Sequence, residues 1–280
     1  MNIHSAIIEG AIILKDKSIK SAKLDSEILL ASVIDKDRKY LILNNDQNIK
    51  EKNLKHFQKL IKKRSFREPV AYLINKKHFW NYKFLVTSET LIPRPDTELI
   101  VEQILKLTKF KTKMKILDIG VGSGCILLTI LKERKNFYGV GVDISKKCLN
   151  ISKINAKNLE VSTRVKFIKT DVDKFAQGKY DLIVSNPPYI KKLDLKYLEK
   201  DVINFEPKLA LDGGLDGLSE IRKVIKKSSE LIKKNGKFIL EIGFDQKNKV
   251  INLLKDKGFY INSILKDLAK NDRCIVSTKI

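Results

Sequence analysis

The feature that most restricts the fold is a regular alternation of apolar runs and helical patterns in the second part of the chain. Seven apolar segments of strand length follow residue 113: MKILDIG, YGVGVDIS, RVKFIKTD, YDLIVSNPP, GKFILEIG, FYINSILKD and DRCIVSTK. Strands that alternate with helices form a mostly parallel sheet covered on both faces. We therefore predict an α/β fold with seven strands. The last two should pair as an antiparallel hairpin at one edge, because no helix is predicted between them.

Residues 1–75 show helical periodicity only. Apolar residues recur every three or four positions, as in Ile3, Ile7 and Ala11, and no alternation of period two is present. The segment HFWNYKFLV at 78–86 then has the aromatic-rich composition of a β-hairpin. We predict three parts: a small helical domain over 1–75, a β-hairpin linker over 76–92 and an α/β domain over 93–280.

The composition argues against several classes of protein. Lys or Asp interrupts the apolar stretches before they reach the roughly 20 residues of a membrane span. The N-terminal segment MNIHSAIIEGAIILKDK has no basic start and no small-residue cleavage site, so a secretory signal is not expected. Three separated cysteines and three scattered histidines form neither a disulfide framework nor a zinc pattern. We expect a cytoplasmic protein without a metal site.

The net charge of +23 allows two interpretations. It could mark a nucleic-acid partner. However, only 8 of the 56 basic residues are arginine, the side chain best suited to phosphate forks and base edges. Lysine, asparagine and isoleucine are abundant along the whole chain, which is typical of a biased genome. We favour the second interpretation and expect no direct nucleic-acid specificity.

A glycine-rich turn joins the first predicted strand of the sheet to the helix that follows. The turn consists of Asp118, Ile119, Gly120, Val121, Gly122, Ser123 and Gly124. Glycines permit positive φ angles and let a ligand approach the backbone closely. A dinucleotide fingerprint would place its third glycine at position 125, where this chain has cysteine. The spacing therefore differs from that of a dinucleotide site.

Two acidic residues follow at the ends of the next two predicted strands. Asp143 is placed to accept hydrogen bonds from ribose hydroxyls, and Asp171 to accept from an adenine amino group. Ligands of open parallel sheets bind at the carboxyl ends of strands, so these residues and the glycine turn predict one nucleotide-type pocket. Asp118 could bond loop amides or the ammonium group of the ligand. The alternative is a glycine-rich turn whose aspartates only cap backbone groups in solvent.

The fourth predicted strand ends in Asn186-Pro187-Pro188-Tyr189, hereafter the NPPY motif. The prolines remove two backbone donors and hold the neighbouring carbonyls rigidly. Together with the glycine turn, this motif resembles the S-adenosylmethionine-dependent methyltransferases that modify planar amino groups. The resemblance implies S-adenosylmethionine as cofactor and S-adenosylhomocysteine as product. Adenine in DNA, guanine in RNA and glutamine in a protein are the substrate classes that share the motif.

The chemistry of such an amino group explains these residue types. Its nitrogen is a poor nucleophile because the lone pair is delocalised. The Asn186 side-chain oxygen and the Pro187 carbonyl could both accept from the NH2 group, which would orient the nitrogen and stabilise the positive charge that it gains. Tyr189 could pack on the flat face of the substrate. No general base is required before attack, and none is evident.

Six segments are similar to the family that methylates a glutamine of peptide chain release factors: LDSEILLASVI, PVAYLINKKHFWNYKFLVTSETLIPRPDTELIVE, DIGVGSGC, SNPPYI, FEPKLALDGGLDGL and DLAKNDRCIV. The resemblance covers nearly the whole chain. It implies a class I, Rossmann-like methyltransferase fold and a monomer. The implied substrate is the glutamine of the Gly-Gly-Gln loop in release factors, methylated on its side-chain amide nitrogen. The helical N-terminal domain would help to hold the release factor.

Two positions depart from the family pattern. Asn75 stands where the family usually has glycine before the hairpin, and Val172 stands where an aromatic residue can lie near the adenine, so less stacking is expected. A related family that methylates a glutamine of a large-subunit ribosomal protein shares these motifs and is the first alternative. A DNA adenine methyltransferase and a non-catalytic binding module are the others. No target-recognition region for DNA is evident after Asn186.

Overall fold

The computed structural model describes residues 1–280. Its helices are α1 (Ile3–Asp16), α2 (Ala22–Val33), α3 (Arg38–Leu43), α4 (Glu51–Ser65), α5 (Val70–Leu73), α6 (Glu98–Leu107), α7 (Cys125–Glu133), α8 (Lys146–Asn158), α9 (Lys200–Phe205), α10 (Ser219–Leu231) and α11 (Lys247–Asp256). Its strands are β1 (Lys76–Phe79), β2 (Tyr82–Leu85), β3 (Lys115–Ile119), β4 (Tyr138–Asp143), β5 (Val165–Lys169), β6 (Tyr180–Ser185), β7 (Ile232–Glu241), β8 (Phe259–Lys266) and β9 (Asp272–Lys279). None of the helices is long and apolar enough to cross a membrane.

The residues form two compact units: Met1–Lys76 with Glu199–Phe205, and Lys77–Leu198 with Glu206–Ile280. The regular secondary structure of the first unit is helical apart from strand residue Lys76 and the isolated bridge Asn2–Asn48, as the periodicity predicted. Apolar side chains of α1, α2 and α4 form its core, which includes Phe57. Buried Arg64 on α4 pairs with Asp25 on α2 at 2.7 Å and with Asp201 on α9 at 2.6 Å. This charge cluster joins a short segment from late in the chain to the helical residues.

Strands β1 and β2 form the predicted hairpin. Its turn contains Trp80, which adopts φ +54°, and Asn81. Phe79 and Phe84 pack edge to face with ring centroids 6.1 Å apart. Asn75, just before the hairpin, adopts φ +51°. Asparagine tolerates the left-handed region better than other residues with a Cβ atom, so the turn forms here without glycine.

The seven remaining strands form one sheet in the order β5-β4-β3-β6-β7-β9-β8. The first five pair in parallel, and β9 runs antiparallel to both β7 and β8. Side chains from α6, α7 and α8 pack in one apolar cluster with the sheet, and those of α10 and α11 pack in a second. The predicted mostly parallel sheet and its edge hairpin are confirmed.

The order of the strands determines where a ligand could bind. From β3 the chain adds β4 and β5 on one side and then returns to add β6 and β7 on the other. Open sheets bind ligands at such a reversal, outside the carboxyl ends of the strands. Ile119 of β3 pairs with Ser185 of β6. The residues that follow them, Gly120 and Asn186, therefore lie at the same edge of the sheet.

Candidate active site

The glycine turn between β3 and α7 uses its three glycines differently. Gly120, Gly122 and Gly124 adopt φ angles of +76°, +54° and +84°. A Cβ atom on Gly124 would lie 2.7 Å from Leu128 Cδ1, whereas one on Gly120 would meet no atom within 4 Å. Val121 is buried in the apolar core. Gly124 thus permits the packing of α7, and Gly120 leaves open space beside the backbone.

Two side chains of α8 hold this turn in place. Ser152 Oγ donates to the Gly122 carbonyl at 2.6 Å, and Asn155 Nδ2 donates to the Ser123 carbonyl at 2.9 Å. Asn155 Oδ1 also accepts from the Leu85 N–H at 2.7 Å, which fixes β2 to the same helix. Ser152 and Asn155 are fully buried, so water does not compete for these bonds. The turn is therefore held in shape by the protein itself.

Asp118 is fully buried on β3, just before the turn. Neither of its carboxylate oxygens has a hydrogen-bond partner in the protein. Burial raises the pKa of Asp118 to about 7, and the charge of Asp143 adds to the rise. The Leu127 N–H opposes part of this rise in pKa. It does not form a hydrogen bond of normal geometry with either oxygen of Asp118. This carboxyl group has hydrogen-bonding capacity that the protein does not use.

Asp143 ends β4 and is half-buried. Its two oxygens accept from the Gly122 N–H at 3.0 Å and from the Ser145 N–H at 2.8 Å. Burial raises the pKa of Asp143, and these backbone bonds oppose the rise. Each oxygen of a carboxylate has two lone pairs, so Asp143 holds the glycine turn and retains acceptor capacity.

Asp171 lies two residues beyond the end of β5 and is half-buried. It accepts from the Asp173 N–H at 3.0 Å and so caps the 3₁₀ turn Val172–Lys174. Val172 is half-buried and packs against the apolar core. Because Lys169 of β5 pairs with Asp143 of β4, Asp171 follows at the same edge of the sheet as the glycine turn.

The NPPY motif begins directly after β6. Ser185, the last residue of that strand, donates from Oγ to the Ile119 carbonyl at 2.7 Å. All peptide bonds are trans, including those before Pro187 and Pro188. Pro187 is buried, whereas Asn186 and Pro188 are half-buried. The motif thus begins from a rigid point next to the glycine turn.

Thr97 and Glu241 join Asn186 to Tyr189 through hydrogen bonds. Thr97 Oγ1 accepts from Asn186 Nδ2 at 3.2 Å and donates to Glu241 Oε2 at 2.8 Å. Tyr189 donates from its hydroxyl to Glu241 Oε1 at 3.2 Å. Burial raises the pKa of Glu241 to about 7, although both hydrogen bonds lower it. The Tyr189 hydroxyl is therefore bonded within the protein.

The backbone that follows the NPPY motif is held by residues from later in the chain. Ile190 forms an isolated parallel bridge with Asp212. Gln246 Nε2 donates to the carbonyl of Tyr189 at 2.9 Å and to that of Gly217 at 3.0 Å. These bonds fix the backbone on the carboxyl side of the NPPY motif.

Arg94, just before the 3₁₀ turn Pro95–Thr97, could contact a ligand or form a structural ion pair. Its guanidinium group lies 2.6 Å from the Glu206 carboxylate, which also accepts from the Ile92 N–H at 3.2 Å. Glu206 is buried. The ion pair is the interpretation that the structure supports.

Two family models match the chain: "PrmC N-terminal domain" over residues 5–74 and "Methyltransferase small domain" over residues 95–215. The release factor glutamine methyltransferase of Clostridium acetobutylicum is 37% identical over 282 residues, covering 100% of this chain and 99% of the relative. That of Clostridium botulinum is 38% identical and covers 100% of both chains. The chain belongs to the release factor glutamine methyltransferase family.

Solved structures support the fold of this family member. A ribosomal protein L11 methylase from Lactobacillus delbrueckii subsp. bulgaricus matches with a TM-score of 0.51 at 17% identity, covering 73% of this chain and 89% of its own. A methyltransferase from Pyrococcus furiosus matches with a TM-score of 0.53 at 16% identity, covering 70% and 88%. The predicted class I, Rossmann-like methyltransferase fold is confirmed.

The strand-end motifs of this release factor glutamine methyltransferase family member are recognisable in its sequence, whereas no role was predicted for the residues that hold them. The missed residues are Thr97, Ser152, Asn155, Glu241 and Gln246. One of them had a recognisable pattern: Glu241 is an acid at the carboxyl end of an apolar strand, as Asp143 is. No cluster of His, Cys, Asp and Glu side chains suited to a metal ion is present.

Proposed function

We propose that this enzyme transfers a methyl group from S-adenosylmethionine to the side-chain amide nitrogen (N5) of the glutamine in the Gly-Gly-Gln motif of peptide chain release factors. The full-length similarity to relatives named for that activity supports the proposal. The structural observation that supports it most is the pairing of Ile119 with Ser185. This pairing brings the glycine turn and Asn186 to adjacent strand ends, where a methyl donor and an amide could meet.

The glycine turn and the acids around it suit S-adenosylmethionine. Open space at Gly120 allows a ligand to lie against the backbone, and the unpartnered Asp118 carboxylate can accept from an ammonium group. Asp143 retains acceptor capacity for ribose hydroxyls. When bound, S-adenosylmethionine supplies an electrophilic methyl group. The proposed cofactor-binding residues are Asp118, Gly120, Val121, Gly122, Ser123, Gly124, Asp143, Asp171, Val172 and Asn186.

The NPPY motif is the proposed catalytic group. The side-chain oxygen of Asn186 and the carbonyl of Pro187 accept from the NH2 group of the glutamine, which orients its nitrogen and stabilises the positive charge that develops. Pro188 limits movement of this backbone. Tyr189, whose hydroxyl is bonded to Glu241, offers its ring to the flat face of the amide. The nitrogen loses a proton only after it has gained the methyl group, so no base has to act before attack.

The parts of the chain take different tasks in this proposal. The helical residues 1–75 hold the release factor, residues 76–92 link them to the catalytic part, and residues 93–280 carry out the transfer. The protein acts as a monomer in the cytoplasm, where release factors work. Nucleic acid is not its substrate.

The experiment that tests this function supplies labelled S-adenosylmethionine to the full-length enzyme with release factors, large-subunit ribosomal proteins or DNA in separate reactions. We expect label in a release factor, located by peptide mass on the glutamine of the Gly-Gly-Gln motif. A release factor with glutamate at that position is the matched control, because it lacks the amide nitrogen and should take no label. Label in DNA or a ribosomal protein, with none in release factors, would refute the proposal.

A further inference from the structure

One buried carboxylate is connected to both ends of the NPPY motif. Glu241 Oε2 accepts from Thr97 Oγ1 at 2.8 Å, and Thr97 Oγ1 accepts in turn from Asn186 Nδ2 at 3.2 Å. The other oxygen, Glu241 Oε1, accepts from the Tyr189 hydroxyl at 3.2 Å. Thr97 and Glu241 are each 2% exposed, so solvent does not compete for these bonds. They come from separate elements, the turn before α6 and the end of β7.

The direction of these hydrogen bonds follows from the number of protons available. An ionised carboxylate only accepts, so the single hydroxyl proton of Thr97 points toward Glu241. The threonine oxygen is then an acceptor, and only the NH2 end of the Asn186 amide can satisfy it. The oxygen end of that amide is turned away from Thr97. The reversed amide would set two acceptors against each other and offer NH2 to a substrate that also carries NH2.

We propose that Thr97 and Glu241 are positioning residues that keep the Asn186 side-chain oxygen in the orientation that accepts from the substrate amide. The inference rests on the proposed function for the identity of the substrate. The orientation itself is a property of the protein and can be measured without substrate. Neither residue touches the reacting atoms, and both act through Asn186.

This arrangement requires Glu241 to be ionised. Burial is the largest influence on its pKa, which it raises to about 7. The other titratable or charged groups that act on Glu241 are Tyr189, Arg273, Asp96, Cys125 and Cys274. Burial raises the pKa of both cysteine thiols and of the Tyr189 hydroxyl, so these three stay neutral near pH 7. Among the groups of this set whose pKa is shifted, Glu241 is the one whose charge changes there.

Protonation of Glu241 would release the orientation of the amide. A protonated carboxyl can donate to Thr97, whose own proton is then free to point toward the Asn186 oxygen. Both orientations of the amide are then satisfied. We therefore expect kcat, measured at saturating cofactor, to fall as the pH falls through about 7. In Glu241→Gln this dependence should be lost, because the side chain no longer titrates.

Two substitutions of Thr97 separate positioning from packing. Thr97→Val keeps the shape and removes the hydroxyl, so kcat should fall roughly 10- to 100-fold while KM for the release factor changes by less than about threefold. Thr97→Ser keeps the hydroxyl and should retain kcat within about threefold of the parent. Thermal unfolding of each variant checks that the fold is intact. Equal losses in the two variants, or a change in KM alone, would overturn the proposal.

A measurement on the free protein keeps this test independent of the substrate. The side-chain NH2 signals of Asn186, assigned by their loss in Asn186→Ala, are followed by 15N NMR across pH. We expect them to shift with a midpoint near the pKa of Glu241, about 7, and not to titrate in Glu241→Gln. Signals indifferent to both pH and Thr97→Val would overturn the proposal. If the parent enzyme methylates no release factor, the proposed function fails while this measurement still decides the orientation.

Discussion

Two buried carboxylates at the carboxyl edge of the sheet have similar pKa values but differ in their hydrogen bonds. Asp118, near the end of β3, and Glu241, at the end of β7, are both 2% exposed or less. Burial raises the pKa of each to about 7. Glu241 accepts hydrogen bonds from Thr97 and Tyr189, whereas Asp118 accepts none.

This difference in hydrogen bonding distinguishes the two halves of the site, the glycine-turn side and the NPPY side. A buried polar group without a partner lowers stability, and such groups are found where a protein serves a function rather than its own fold. Asp118 fits that description, so we expect the glycine-turn side to gain contacts when a ligand binds. The NPPY side has its hydrogen bonds already made, so its geometry is set before the substrate arrives. Substitutions on the two sides should therefore affect different measurements.

The largest expected effect is that of Asn186→Ala on the rate. The lost oxygen matters most as the substrate nitrogen becomes positive, and comparable preorganised groups contribute about 2.7–4 kcal/mol to the transition state. Single-turnover methyl transfer should slow on the order of a hundredfold or more, with a smaller change in release-factor affinity. Transfer at the parent rate would show that the NPPY motif has another role.

Two further variants sharpen this prediction. Asn186→Asp keeps an acceptor and should retain moderate activity, but it replaces the NH2 group that Thr97 accepts from. Tyr189→Ala removes a ring rather than an acceptor, so binding and rate should fall together. If Asn186→Ala and Tyr189→Ala changed the transfer rate and the release-factor affinity in the same proportion, these separate roles would be contradicted.

The next largest effect is expected from Asp143→Ala on the glycine-turn side. Loss of a charged acceptor for the ribose should weaken S-adenosylmethionine binding by roughly 1.5–3 kcal/mol, as measured by calorimetry. Asp143→Asn keeps an acceptor and should lose less. Because Asp143 also accepts from the Gly122 N–H, a thermal unfolding curve is the control for damage to the turn. Unchanged affinity in Asp143→Ala would mean that the ribose lies elsewhere.

The sequence predicted most of the fold because periodicity and strand-end residues are local signals. Two features of the fold, helix α11 and the grouping of α9 with the helical unit, were not predicted. Helix α11 was not predicted, although its apolar residues Val250, Ile251, Leu253 and Leu254 have helical spacing and pack in the second apolar cluster. Helix α9 groups with the helical unit, which it contacts through the ion pair of Asp201 with Arg64, 137 positions away. No local pattern records such a pair.

Local sequence patterns are similarly limited in predicting the site. Residues that a ligand would contact stand in recognisable motifs, such as Asn186 after a buried strand. The roles of the residues that hold those motifs depend on contacts between distant elements, such as that of Thr97 with Glu241 across 144 positions. A threonine before a helix is ordinarily explained as a cap, although Thr97 makes no capping bond with its side chain. Their roles follow from the partners that the fold gives them.

The smallest expected effects are on stability, and they test the comparison of the two carboxylates directly. In Asp118→Asn without cofactor, removal of a buried, unpartnered charge should raise the free energy of unfolding by about 1–3 kcal/mol at pH 8. Glu241→Gln should change it by less than about 1 kcal/mol, because the loss of the charge is offset by a donor placed against other donors. Urea unfolding at several pH values measures both.

The pH dependence of the free energy of unfolding shows the direction in which Asp118 acts on stability. Between its ordinary pKa of 3.8 and its folded pKa of about 7, Asp118 keeps a proton in the folded protein that the unfolded chain releases. The free energy of unfolding of the parent therefore falls across that window as the pH rises. Asp118→Asn lacks this contribution, so its advantage should be absent near pH 4, grow up to about pH 7 and stay constant above. An Asp118→Asn variant that is less stable than the parent at pH 8 would mean that Asp118 has a partner within the fold, and the contrast with Glu241 would fail.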